Sequence, residues 1–227
     1  MITNKLGIFV RAPLAGSVKT RLVPPLSPEQ ARDLYLSFLQ DLIFRFHASR
    51  LRPTIFLAGE PGPELTAVLP PRWPVVAQRG ESLGDRLEAA FASLLSEPGT
   101  RAAIIGSDSP DLPIGHVRRA FRLLKHRDAV LGPAFDGGYY LVGLSRPAPG
   151  LFRGIRWGGP HVLEDTVRAA SAAQLTLSLT PPWYDVDDRA SLHLLGALCR
   201  ARRAARGERL PHTERMLAAI GEIPAAE

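Results

Sequence analysis

Two rhythms of apolar residues alternate along this chain. Short unbroken apolar runs are followed by longer stretches in which apolar positions recur every three or four residues. "LGIFV" reads as a first buried strand, and "SPEQARDLYLSFLQDLIFRF" as the helix after it. Ser27 stands at the N-cap of that helix, Pro28 in its first turn, and Gln30 completes a capping box. Leu34, Phe38, Leu42 and Phe46 fall at helical spacing and are assigned to the core. "PTIFLAG" and "PVVAQ" predict strands, "LGDRLEAAFASLL" a helix, and "RAAIIGSD" a strand ending in a polar turn. The alternation continues with helix "IGHVRRAFRLLKH", strands "DAVLGPA" and "GYYLVGL", helix "HVLEDTVRAASAA", strand "LTLSLT" and helix "RASLHLLGALCRARRA".

Continuous apolar strands separated by amphipathic helices specify a mostly parallel sheet covered on both faces. The expected fold is α/β, a single-domain three-layer α/β/α sandwich spanning residues 1–227. Its core runs over about 6–200 and a helical tail over 201–227. The tail "RARRAARGERLPHTER" reads as a charged, solvated helix end. Open sheets of this kind bind ligands at the carboxyl ends of their strands, near a switch in strand order, so loops directly after strands carry the weight.

Composition narrows the function classes. With 227 residues, 45% hydrophobic and 22% charged, the chain is long enough to bury a real core. The net charge of +6 is carried mainly by arginine, but aromatics make up only 7% and no basic stripe with interleaved aromatics appears. This argues against nucleic-acid binding. Cys199 is the sole cysteine, which excludes an internal disulfide and a cysteine zinc site. It lies on an apolar helix face, as a buried inert thiol would. No stretch approaches the ~20 apolar residues of a membrane span, and a cytoplasmic protein is expected.

Four polar clusters lie at or near strand ends. The opening loop "VRAPLAGSVKTRLVPPLSPEQA" groups Arg11, Gly16, Lys19 and Arg21. It is not a G-x-x-x-x-G-K-[ST] loop, because Gly16 is followed by Ser17. Its cations nevertheless suit a di- or triphosphate, or else are simply solvated. In "IIGSDSPDLP", Asp108 is placed to hold Mg²⁺ or Mn²⁺, while Asp111 directly precedes a helix and fits its N-cap. In "LGPAFDGGYYLVGL", Asp136, Gly137 and Gly138 mark a hairpin turn shaped to receive a substrate. Tyr139 and Tyr140 are expected to project to opposite sides, one of them toward the ligand. In "WYDVDDRASL", Asp185 and Asp187 alternate about Val186, offering a second half-site for the same ion; Asp187 or Asp188 also suits the cap of the next helix. None of the six histidines has metal-ligand spacing, and "GSDSP" is not a G-x-S-x-G elbow.

Taken in order, "RAPLAGSVKTRL", "LGDRL", "IGSDSPDLP", "GPAFDGGYYLVGL" and "YDVDD" resemble a bacterial family of glycosyltransferase-A-like proteins. That family belongs to the nucleotide-diphospho-sugar transferase superfamily and is similar to the guanylyltransferases that activate phospholactate or the molybdenum cofactor. The resemblance spans about Leu6 to Leu195. It implies that Lys19 and Arg21 hold phosphate, that Asp108 binds the metal with Asp187 as second ligand, and that Gly137 and Gly138 line the acceptor or sugar pocket. Catalytic candidates are accordingly Lys19, Arg21 and Asp108. Substrate-binding candidates are Arg11, Gly16, Arg86 of "LGDRL", Asp136, Gly137, Gly138 and Tyr139. Where relatives commonly carry Trp-Ser-Thr, this chain reads "GIRWGGPHV", so Gly158 and Gly159 stand in place of hydroxyls.

The expected activity is a metal-dependent transfer from an activated nucleotide. Glycosyl transfer from a nucleotide-sugar to a small-molecule acceptor ranks first. Nucleotidyl transfer to a small phosphorylated acceptor is the alternative, and a non-catalytic nucleotide-binding module a third reading.

Overall fold

The computed structural model describes residues 3–49 and 51–224. Seven strands form one sheet: β1 (Thr3–Arg11), β2 (Thr54–Ala58), β3 (Val75–Ala77), β4 (Thr100–Ile105), β5 (Ala129–Pro133), β6 (Tyr139–Leu144) and β7 (Leu177–Leu179). Their spatial order is β3-β2-β1-β4-β6-β5-β7. β1 pairs in parallel with both β2 and β4, β6 runs antiparallel to β4 and β5, and β7 returns parallel to β5. The chain therefore builds outward from β1 to β3, then restarts on the other side of β1 with β4. The carboxyl ends of β1 and β4 flank that switch point, where a crevice opens between diverging connections.

The helices are α1 (Pro28–Ala48), α2 (Pro63–Val68), α3 (Leu83–Leu94), α4 (Ile114–Leu123), α5 (Val162–Ala172), α6 (Arg189–Ala204) and α7 (Pro211–Ala219). Strand alternation splits the core into two layers. Leu6, Ile8 and Val10 of β1 and Ala103 and Ile105 of β4 pack with Leu34, Phe38, Leu42 and Phe46 of α1. Ala102 and Ile104 of β4 face the other way, with Leu87 and Phe91 of α3 and Ala170 of α5. This is the expected three-layer sandwich with a mostly parallel sheet. The capping box at Ser27 and Gln30 is present, and Cys199 is buried, with burial pushing its thiol up to about 12.

Two sequence expectations change, and one open alternative closes. The charged tail is packed rather than solvated. Leu210 and Leu217 are buried, and Asp41 of α1 accepts from the backbone N–H groups of His212 (3.2 Å) and Thr213 (2.7 Å). Asp41 thereby satisfies donors that α7 leaves open at its N-terminus. Its charges are used internally: Arg45 makes two bonds to Glu208 (2.8 and 3.0 Å), and Arg209 and Arg203 both meet buried Glu214. Second, Asp111 is no N-cap. Pro113 holds that position at α4 without a side-chain bond. The alternative that closes is the cap of α6: of Asp187 and Asp188 it is Asp188, accepting from the Ser191 N–H at 2.8 Å.

Candidate active site

A cleft of about 480 Å³ lies at the carboxyl ends of β1 and β4, above the switch point. Arg11, Lys19, Arg21, Arg86, Asp108, Asp187 and Tyr139 all line it. Of the sequence-predicted residues, Gly16, Asp136, Gly137 and Gly138 do not. Gly16 has a φ of 77° and open space around it, so it serves the turn of the first loop. Gly137, with a φ of 89°, is required for a different reason than ligand approach. A Cβ there would lie 2.2 Å from the carbonyl oxygen of Pro160. The Asp136–Gly138 turn is closed on itself, with the Gly138 N–H donating to Asp136 Oδ1 at 2.9 Å.

The first loop after β1 turns through Gly16 and delivers Lys19 into the cleft wall. Lys19 adopts a left-handed backbone (φ 50°), unusual for a side-chain-bearing residue, immediately before a 3₁₀ turn over Thr20–Leu22. Its side chain is only 2% exposed and threads past the rings of Tyr35 and Phe38, each 5.7 Å from Nζ. The ammonium ends between two carboxylates from distant segments, bonded to Asp108 Oδ1 and, at 3.0 Å, to Asp187 Oδ1. Burial alone would push the lysine pKa down. The two negative charges overcome that and hold it above its ordinary value, so Lys19 stays charged.

The acidic loop after β4 is fixed from several sides. Tyr35 Oη lies 2.7 Å from Ser107 Oγ and accepts from the Arg11 N–H at 3.1 Å, tying the first loop to the second. Burial raises the Tyr35 phenol to about 12, so it stays protonated. The Val186 N–H donates to the Asp108 carbonyl at 2.9 Å, and Ser109 Oγ donates to Asp185 Oδ1 at 2.6 Å. Asp185, behind the cleft pair, is raised to about 7 by burial and then by the charges of Asp108 and Asp187. Asp111 is sealed beneath by Arg202 (2.7 Å), Tyr184 Oη (2.8 Å) and Trp183 (3.3 Å).

Among the described residues, no group of three or more His, Cys, Asp or Glu side chains is placed to hold a metal. The acid set facing the cleft is thus Asp108 and Asp187. Their oxygens converge on a single cationic atom, the Lys19 ammonium. Lys19 takes one oxygen of each acid, and among the described residues neither Oδ2 has a hydrogen-bond partner. Two such hard oxygens fit Mg²⁺ or Mn²⁺, which keep most of their coordination for water and phosphate. Around them stand Arg11, which donates to the Ser17 carbonyl at 3.2 Å, Arg86, which donates to the Gly80 carbonyl at 3.1 Å, and exposed Arg21.

Among the lining residues that sequence reasoning missed are Tyr35, Ser107 and Gln78. Tyr35 was hidden in the apolar stripe of α1. Ser107 and Gln78 both directly follow or nearly follow a strand, the one positional signal available. Tyr139 and Tyr140 do face opposite layers. The pairing of β5 with β6 shifts register at Gly132/Pro133 and leaves Tyr140 as the extra residue. Tyr139 turns toward the α3 layer, while Tyr140 Oη meets Thr180 Oγ1 (2.7 Å) and His116 Nδ1 (3.0 Å) on the other side.

A family model described as "Uncharacterized protein conserved in bacteria (DUF2064)" matches residues 45–159. A solved protein from Desulfovibrio desulfuricans G20, provisionally named a nucleotide-diphospho-sugar transferase, is 34% identical, with 96% of this chain and 95% of that one covered and a TM-score of 0.81. The chain belongs to the DUF2064 family. More distant solved structures share the fold of this DUF2064 protein. Glucosyl-3-phosphoglycerate synthase from Mycobacterium tuberculosis, solved with Mg²⁺ and uridine diphosphate, is 12% identical, covering 99% of this chain and 81% of its own, with a TM-score of 0.50. The bifunctional IspDF of Campylobacter jejuni is 10% identical, covering 80% of this chain and 50% of its own, with a TM-score of 0.51. A comparison with curated proteins gave no match. The DUF2064 chain thus has the nucleotide-diphospho-sugar transferase fold that its motifs resemble. No helix among its described residues is long and apolar enough to cross a membrane.

Proposed function

We propose that this protein is a divalent-metal-dependent transferase acting on a nucleotide-activated donor, with glycosyl transfer from a nucleotide-sugar as the leading reaction. One observation carries the reading: Asp108 and Asp187, from separate segments, are drawn together by the Lys19 ammonium, each with a second oxygen to spare, in a switch-point cleft ringed by arginines. Asp108 and Asp187 would hold Mg²⁺ or Mn²⁺. When bound, that ion supplies positive charge to a diphosphate leaving group.

The chain's own residues account for the rest. Lys19, locked in place by Tyr35 and Phe38, and Arg21 would neutralise the charge that spreads onto the diphosphate as its bond to the sugar carbon breaks. Arg11 and Arg86 would orient the phosphates from the two sides of the cleft. Tyr139 would form the wall against which the transferred group or acceptor rests. The names borne by the Desulfovibrio relative and the Mycobacterium synthase agree with this class.

Nucleotidyl transfer is the second reading, because Arg11, Lys19, Arg21 and Arg86 together suit a triphosphate as well as a diphosphate. The two differ in the bond that breaks, and product analysis with Mg²⁺ separates them. Release of free nucleoside diphosphate from a sugar nucleotide supports glycosyl transfer. Release of pyrophosphate from a nucleoside triphosphate replaces it with nucleotidyl transfer. Nucleotide binding with no turnover of either donor type would leave a non-catalytic binding module.

A further inference from the structure

Gln78 follows β3 and lines the cleft opposite the acidic end. Its side-chain amide reaches back over the β1–β2 seam. Nε2 donates to the Phe56 carbonyl at 2.8 Å and to the Val10 carbonyl at 3.3 Å. Those two acceptors use both amide hydrogens and fix which end of the group is nitrogen. The free valence is then Oε1. Among the described residues no donor reaches it, and it is not enclosed either. Tyr139 Oη is the only buried side-chain polar atom without a partner among the described residues. Gln78 thus brings to the cleft it lines an accessible acceptor, Oε1, whose direction the two Nε2 bonds fix.

Apolar side chains share the cleft with it. Phe9, Ala58 and Leu87 line the same cleft, and Leu83, at the start of α3, is 42% exposed at its rim. An exposed leucine and an oriented acceptor lining one cleft suit a flat heterocycle that carries an N–H. The spacing also fits. The β1–β2 seam lies between one and two strand spacings, about 5–10 Å, from β4, whose end carries Asp108. That is the reach of a ribose joining a base to its phosphates.

Building on the nucleotide reading above, we infer that Gln78 reads the nucleobase of the donor by accepting an N–H from its hydrogen-bonding edge. A fixed acceptor favours a base that presents a donor at that point and leaves the others with an unpaired group, which is how such sites discriminate. The phosphate end, in contrast, contributes affinity blind to the base.

The test is calorimetric titration of the wild-type protein with UDP, CDP, GDP and ADP in Mn²⁺, repeated on Gln78→Met, which keeps the volume and removes the acceptor together with the two Nε2 bonds. The expected result is a ranked series in the wild type. In Gln78→Met the preferred nucleotide weakens about tenfold while the others change little, so the ranking flattens. A variant that keeps the wild-type ranking and affinities overturns the inference and leaves the nucleotide reading standing. Should Gln78→Met fold poorly, the wild type decides alone. The preferred diphosphate with its edge N–H methylated should bind about tenfold more weakly, and equal binding overturns the role of Gln78. A wild type that binds none of the four overturns the nucleotide reading and this inference together.

Discussion

Asp108 and Asp111 stand three residues apart in one loop, and their surroundings give them opposite roles. Asp111 is 1% exposed and accepts from Arg202, Tyr184 and Trp183, so its oxygens are spoken for. Asp108 is 42% exposed at the cleft, and its one side-chain partner is a cation shared with Asp187. A carboxylate saturated with fixed donors holds the fold together. One that gives a single oxygen to a lysine shared with a second acid keeps its other oxygen free for a ligand. Sequence alone ranked Asp108 above Asp111 by position, and the reason lies in what each carboxylate already touches.

The comparison is broken most severely by Asp111→Ala. It leaves the Arg202 charge and the Tyr184 hydroxyl facing an emptied pocket, and should cost about 3–5 kcal/mol in denaturant unfolding. Asp108→Asn, exposed on one side, should cost only about 1 kcal/mol by the same measurement. Equal losses would remove the distinction between a fold-holding and a ligand-holding acid.

A third carboxylate sharpens the contrast at smaller scale. Asp128 accepts from the Thr176 backbone N–H, Arg146 and the Thr176 hydroxyl, which together hold its pKa down to about 2. Because the folded value lies below the unfolded one, this contribution is complete above about pH 4 and is lost as pH falls through about 2. Asp128 lies at the surface against an exposed Arg146, so screening reduces the effect to about 1 kcal/mol. Unfolding measured between pH 5 and pH 2 should therefore be about that much flatter in Asp128→Asn than in the wild type.

Much of the fold was legible because burial on both faces writes strands as unbroken apolar runs and helices as periodic ones. The capping box at Ser27 and the Asp136–Gly137 hairpin were readable as local chemistry. The helix α7 was not. Its buried positions are few, and Glu214, buried beneath the exposed Arg209 that pairs with it, looks in sequence like a solvated charge. In the cleft, Lys19, Asp108 and Asp187 were legible as charged residues following strands. Gln78 and Tyr35 were not, since one is a single amide without a motif and the other shares its spacing with core positions. The glycines at 137 and 138 were read as ligand-facing because a tight turn and a close ligand make the same demand on sequence. Only the carbonyl of Pro160 separates the two.

The central claim is that Asp108 and Asp187 form one cation site serving a nucleotide's phosphates. Calorimetric titration of a nucleoside diphosphate, with and without Mn²⁺, into wild type and Asp108→Asn tests it most directly. The account predicts Mn²⁺-dependent binding in the wild type and a loss of about 3 kcal/mol, or about a hundredfold, in the variant. Equal affinity and equal Mn²⁺ dependence in the two proteins would contradict it.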